Sequence, residues 1–212
     1  MDFIIKVDPI TIVMARPELE NKPSWTRLEY QQCQCCPLSK EEQPYCPIAI
    51  NIAHIIETFK DKPSYQKCVA RCIISERIYQ KKASTMEALS SALGLIMAVS
   101  GCPVMSLFKP MARFHLPFST IEETIVRATS FYLLREYFAF KNHKVPDLEL
   151  KKLHEHYETV KILNAGLLSR ISGVHSNDSD KNAILIFHSL SELLSMEITT
   201  SLQSLERLFY PH

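Results

Sequence analysis

The placement of the cysteines restricts this chain more than any other feature. Cys33-Gln34-Cys35-Cys36-Pro37-Leu38 is followed by Cys46-Pro47, and Gly101-Cys102-Pro103 lies far downstream. A CxxC turn, Cys33 with Cys36, can offer two thiolates to one tetrahedral ion at Zn–S distances of about 2.3 Å. A second CxxC is missing, so Cys46 and Cys102 would have to arrive from separate segments. If these sulfurs share a site, the turn at residue 33, the start of a helix at residue 47 and the loop after residue 100 must meet.

Three of the seven cysteines precede proline. Proline is favoured at the first helical position, which puts the preceding cysteine at the N-cap. Free amides and the positive end of the helix dipole favour a thiolate there. Cys46, ahead of a helix beginning near Ile48, fits this placement, and Cys36 and Cys102 are each expected to head a shorter helical turn. Anionic sulfurs suit metal ligation or reaction. The expected ligands are Cys33, Cys36, Cys46 and Cys102, with Cys35 or His115 as substitutes. Zinc leads as the metal and an Fe–S cluster is the lesser alternative. Inert buried thiols remain open beside this reading, as does redox or nucleophilic use. Cys68 and Cys72 are assigned to the core: four apart on a strand they lie about 13 Å from each other, too far to share an ion.

An odd cysteine count in a chain of 212 residues speaks against a disulfide framework and for a reducing, cytoplasmic setting. The start, Met1 to Pro9, lacks the basic region and cleavage site of a secretory signal. Ala88 to Met105 is nearly uncharged, but Ser90, Ser91, Gly94, Ser100, Gly101 and Pro103 interrupt it. Its helical part falls short of the ~20 apolar residues of a bilayer span, so it reads as a core helix and no membrane is expected. With 24 Lys and Arg against 23 Asp and Glu, the net charge of +1 lacks the positive excess of a nucleic-acid binder. A hydrophobic fraction of 46% with 22% charged residues is the balance of a chain that buries a core.

Along the chain, Phe3 to Ala15 and Trp25 to Gln32 are rich in β-branched and aromatic residues and partly alternate, which predicts a β-hairpin across the proline-punctuated turn between them. Tyr65 to Tyr79 is a third strand candidate, with Cys68, Ala70, Cys72, Ile74 and Ile78 facing inward. Ile48 to Phe59 is an amphipathic helix. Ser84 or Thr85 can cap a helix through Leu89, Leu93, Ile96 and Met97 at the centre of the core. Ser119 with Glu122, or Thr120 with Glu123, forms a capping box for a helix through Ile125, Phe131, Leu134 and Phe138. A long helix is expected from Asp147 to Ser172, with a coiled-coil-like seam of Leu150, Leu153, Tyr157, Val160, Asn164, Leu167 and Ile171. Gly173 would stop it, and a last helix to about Phe209 would complete an antiparallel hairpin. The fold class is therefore α+β: a small, mainly antiparallel N-terminal sheet packed with helices, and a mostly helical C-terminal half. The division falls between residues 1–143, with the cysteines, and 144–212, the hairpin, the two packed as one unit.

The run CxxCPL, then Cys46-Pro47, then Ser100-Gly101-Cys102-Pro103 and Pro110-Met111-Ala112-Arg113-Phe114-His115-Leu116-Pro117-Phe118 resembles an uncharacterised bacterial family, a domain of unknown function. The resemblance covers roughly Cys33 to Phe140, with Cys35 as an extra cysteine beside the pattern. It implies no activity, but it supports grouping Cys33, Cys36, Cys46 and Cys102.

Arg113 and His115, on a loop stiffened by Pro110 and Pro117, could hold a small anionic ligand, although such side chains more often bond to local carbonyls. The group Lys62, Lys67, Arg71, Arg77, Lys81 and Lys82 reads as a solvated sheet face before it reads as an anion patch. His154 and His156 project about 200° apart on a helix and cannot chelate one ion. No HExxH, Walker A, GxSxG or GxGxxG motif is present, and no catalytic residue can be named. The leading expectation is a binding or regulatory module with a structural zinc site and an unidentified protein or small anion as partner. A thiol-dependent enzyme or redox sensor using Cys46 or Cys102 is the second. The third is an assembly protein in which the Leu150 to Ile171 seam makes a homodimer.

Overall fold

The computed structural model describes residues 2–15, 21–59, 62–172, 202 and 205–210. Pro47 opens helix α1 (Pro47–Phe59), and the Cys46 carbonyl accepts the first bond, from Ile50 N at 3.0 Å. Its five isoleucines are β-branched and have no intrinsic reason to prefer a helix over a strand beyond their surroundings. Burial decides it: Ile48, Ile52, Ile55 and Ile56 all sit in the main core.

Strand β1 (Lys67–Ile73) and strand β2 (Ile78–Ser84) pair antiparallel, with Cys68 opposite Ala83 and Cys72 opposite Tyr79. The single strand expected over Tyr65 to Tyr79 is thus a hairpin. Ser75 and Glu76 form its tip, closed by Ile74 N donating to the Arg77 carbonyl at 3.1 Å. The inward parity holds for Cys68, Ala70 and Cys72, but these are only half-buried, so Cys68 and Cys72 are not core residues as expected, and Ile74 before the tip and Ile78 after it are exposed.

The hairpin expected from the first 32 residues does not form. Asp8 folds Phe3 to Ala15 back on itself, its carboxylate accepting from the amides of Ile10 and Thr11 and from the Thr11 hydroxyl. This Asx-type turn outcompetes the strand reading and leaves only an isolated bridge between Val7 and Met14. Residues 24–26 make a 3-10 turn, and the stretch that follows bridges only Arg27 to Tyr45. Among the described residues the sheet therefore has two strands, and the α+β class rests on that hairpin with the helices around it.

Ser84 ends β2 and caps helix α2 (Thr85–Val99) through a full capping box with Glu87. After Gly101, whose φ of +87° suits glycine alone, residues 104–108 form a 3-10 turn and helix α3 (Lys109–Arg113) continues it. Among the described residues no single helix is long and apolar enough to cross a membrane. α2 and the helical stretch 104–113 reach that length and composition only together, and they bend by 111° where they meet.

Helix α4 (Ile121–Lys141) begins with the Thr120–Glu123 box, one of the two expected. Its buried face is Ile125, Ala128, Thr129, Tyr132 and Glu136 rather than the expected stripe. Leu134 and Phe138 are exposed. Helix α5 (Lys151–Ser172) starts four residues later than expected because Asp147 acts as its cap from outside, accepting from the amides of Lys151 and Lys152. Leu150 precedes the helix at a φ of +61° and is half-buried. From Leu153 on the seam is as read: Leu153, Tyr157, Val160, Asn164, Leu167 and Ile171 are all buried. They are buried in the chain's own core, so this seam has no exposed face for a second subunit. Most of the last expected helix lies outside the described residues. Leu202 packs on the cluster of Ile125, Ala128, Tyr132, Leu153 and Tyr157, and residues 205–209 are helical.

Among the described residues two apolar clusters result. The larger joins α1, α2, the cysteines and the C-terminal half of α5; the smaller joins α4 to the N-terminal half of α5.

Candidate functional site: an apolar cavity beside a cysteine pocket

Between the two clusters lies a cavity of about 470 Å³. Its wall on α2 is Glu87, Ser90, Ser91, Gly94, Leu95 and Ala98, a stripe at spacings of three and four, which is one helix face. The opposite face, Leu93, Ile96 and Met97, is buried in the main core. Small side chains on one face of an otherwise apolar helix leave room between elements held apart by larger neighbours. Met105, Phe108, Met111 and Leu116 close the floor, and Tyr157 and Val160 of α5 the back.

Two side chains give this apolar space a polar end. Arg127 of α4 uses Nη2 to donate to the carbonyls of Met111 and Phe114, both at 2.9 Å. Among the described residues, no hydrogen bond from its Nε–H or Nη1 accompanies those two. His115 lines the same cavity, and burial together with the nearby Arg127 charge holds its pKa down at about 4. It is an uncharged imidazole at neutral pH, able to donate and accept one hydrogen bond. Ser91 is committed, accepting from Phe118 N at 3.1 Å. Lys81 and Glu87, 3.6 Å apart and about half exposed, stand at the rim. Of the expected anion pair, then, His115 faces the cavity while Arg113 is exposed and absent from its wall, and Arg127 supplies the cation. Of the other residues of the basic group, Lys67, Arg71, Arg77 and Lys82 are on the exposed hairpin and Lys62 precedes it.

The cysteines form a second, smaller site. Cys33, Cys35, Cys36, Cys46 and Cys102 line one apolar pocket of about 20 Å³ with Leu38, Val104, Leu163 and Leu167. The three distant stretches do meet. Cys46 is at the α1 N-terminus and Cys102 heads the 3-10 turn, its carbonyl accepting from Met105 N at 3.1 Å. Cys36 heads no helical turn; its amide instead closes a turn onto the Cys33 carbonyl at 2.9 Å. All seven cysteines are free thiols. Among the described residues, however, no three Cys, His, Asp or Glu side chains are arranged to hold a metal ion.

The electrostatics of the pocket also differ from the expectation of anionic sulfurs. Burial pushes Cys102 up to about 11, although the amides of Met105 and Val104 act in the opposite direction. Burial, aided by the neighbouring Cys46 and Cys35, pushes Cys33 up to about 12. One short turn's worth of amides does not offset desolvation by an apolar wall. Both are neutral thiols, and Cys33 and Cys35 point their sulfurs at the carbonyls of Leu163 and Thr159 on α5.

One residue that carries this region has no place in the motifs. Arg170 of α5 is 1% exposed, and its guanidinium donates to the carbonyls of Trp25, Arg27, Leu28 and Gln31. It takes the bonds that a sheet partner would otherwise make with the strap before Cys33. Gly166, one turn earlier, lets α5 approach so closely that a Cβ there would lie 2.8 Å from Cys33 Sγ and 3.1 Å from its Cα.

A family model matches residues 1–210, nearly the whole chain. The chain belongs to the DUF6901 family. That family is described as a domain of unknown function, in line with the resemblance read from the cysteine and proline motifs. Searches of the curated proteins and of the solved structures each found no match.

Proposed function

We propose that this member of the DUF6901 family is a binding module whose cavity takes a small amphipathic anion, with the apolar body against α2 and α5 and the acidic end at Arg127 and His115. The observation that carries this reading is the cavity itself: about 470 Å³, walled mainly by apolar side chains, with one guanidinium whose Nε–H and Nη1 donors have no partner among the described residues. Its size falls within the range of about 300–1,000 Å³ typical of ligand sites, and a few convergent polar groups in an apolar wall are what orient a ligand there. The uncharged His115 adds a hydrogen bond without a second charge to desolvate.

A medium-chain carboxylate and its alcohol test the polar end. Decanoate is expected to bind at least about tenfold tighter than decanol, because a charge-assisted bond to arginine contributes more than a neutral one. Arg127→Met should remove that difference while leaving the alcohol's affinity in place. Equal affinity for the two in the unaltered chain would refute the assignment of Arg127, and no binding of either would refute the site.

A second reading rests on the convergence of five cysteines around space for one small ion. An all-sulfur, apolar set suits zinc, with an Fe–S cluster as the lesser alternative. Binding would draw Cys33, Cys36, Cys46 and Cys102 onto the ion and release their protons, so it would strengthen with pH and contribute to folding. Elemental analysis of reduced protein beside a Cys36→Ser variant tests it. About one equivalent of zinc lost in the variant together with stability supports it, and under a tenth of an equivalent in both removes it. Seven free thiols suit a reducing, cytoplasmic compartment. A nucleophilic role for Cys102 has the least support, since its thiol is buried and raised.

A further inference from the structure

Among the described residues, the face of α4 turned away from the core is apolar and uncovered. Val126, Leu133, Leu134, Tyr137, Phe138 and Phe140 are between 37% and 62% exposed, while the opposite face of the same helix is packed on α5 through Ile125, Ala128 and Tyr132. A helix with two apolar faces has two packing partners to find, and a run of six large exposed side chains on one helix exceeds the scattered singles of an ordinary surface.

The order of residues along this face identifies the partner. Glu122, Val126, Ser130, Leu133, Tyr137 and Lys141 follow one another at spacings of four, four, three, four and four, a sequence that reads the same from either end. Rotating the helix by 180° about an axis between Ser130 and Leu133 sets Glu122 against Lys141, Val126 against Tyr137 and Ser130 against Leu133. The charges match under that operation: Glu122 is exposed at the acidic end, Lys141 and Lys144 are exposed at the basic end. The one small residue, Ser130, falls at the crossing, where two helices approach most closely.

We propose that α4 is an antiparallel homodimer interface, with a second copy of this chain as its occupant. The contact is isologous, as a two-fold pair requires: each residue meets its counterpart twice. Glu122 to Lys141 spans about 28 Å of helix, and Val126, Leu133 and Tyr137 are the apolar side chains this stripe brings to the contact. In a parallel arrangement Glu122 would meet Glu122 and Lys141 would meet Lys141, so like charges set the direction.

Sedimentation equilibrium of the full chain at tens of micromolar under reducing conditions tests this. The unaltered protein is expected to be a dimer. Tyr137→Glu should give a monomer with an unchanged far-ultraviolet circular dichroism spectrum. Glu122→Lys should weaken the dimer about fivefold at low salt, and adding Lys141→Glu to it should restore the affinity, since the pair is merely exchanged. That rescue cannot come from helix stability, because both substitutions oppose the helix dipole. A monomeric unaltered chain, a dimer indifferent to Tyr137→Glu, or a double variant weaker than the single one would overturn the proposal. A chain that stays monomeric and binds phospholipid vesicles would assign this face to a membrane instead.

Discussion

Arg170 shows what a single side chain does in this molecule. A buried guanidinium holding four carbonyls replaces a missing strand, and truncation leaves those acceptors in an apolar surround. Arg170→Leu is expected to cost about 3 kcal/mol or more in urea unfolding, and a cost below about 1 kcal/mol would show the strap is held by other contacts. Gly166→Ala pits helix propensity, which favours alanine by about 1 kcal/mol, against a contact with Cys33 whose backbone cannot turn aside. Net destabilisation is expected; a more stable variant would mean that the cysteine turn yields freely. His115 gives a pH signature. Its folded pKa of about 4 lies below the 6.5 of the free side chain. The unfolded chain therefore takes up a proton that the folded chain refuses. The stabilising effect is complete above pH 6.5 and is lost as pH falls towards 4, in total about 3 kcal/mol. Stability curves of the unaltered chain and His115→Gln should diverge in slope over that window, and parallel curves would contradict the burial of the imidazole. Cys102, with its thiol raised to about 11, should react with iodoacetamide at pH 7.5 at least about tenfold more slowly in the folded than in the unfolded chain. Equal rates would reopen a nucleophilic role.

At the scale of elements, the sequence announces helices wherever spacing and caps agree. The Ser84–Glu87 and Thr120–Glu123 boxes, the α5 seam and Pro47 at the first position of α1 are all legible, because each is a local pattern with a local cause. The absence of N-terminal strands is not legible, since Asp8 satisfies amides within its own turn and the partner of residues 25–31 is an arginine about 140 residues away. The two faces of α4 could not be ranked from apolarity alone; Tyr132 and Glu136 are buried because Asp147 bonds to both, through the tyrosine hydroxyl and through its own amide. The cavity has a local sign in the sequence: serine, serine, glycine and alanine at one helix's three-and-four spacing, among large apolar residues. Ala98→Phe should fill that space. Its melting temperature is expected to match or exceed that of the unaltered chain, whereas a fall of several degrees would mean that the wall has no room there.

At the scale of the whole molecule, Cys33, Cys35, Cys36, Cys46 and Cys102 line one pocket, and the cysteine motifs give no indication of how that pocket treats their protons. Convergence follows from sequence spacing and chain topology, but thiolate character depends on burial, which only the assembled core sets. The cavity belongs to this scale too, because it lies where the cluster around α1 and α2 stops and the cluster around α4 begins. A continuous core would have left no space for a ligand. The most direct measurement is a calorimetric titration of decanoate into the unaltered chain and into Ala98→Phe. Saturable one-site binding with a Kd on the order of tens of micromolar is expected for the first, and at least tenfold weaker binding for the second at undiminished stability. Equal binding by both, or none by the unaltered chain, would contradict a ligand site in the cavity.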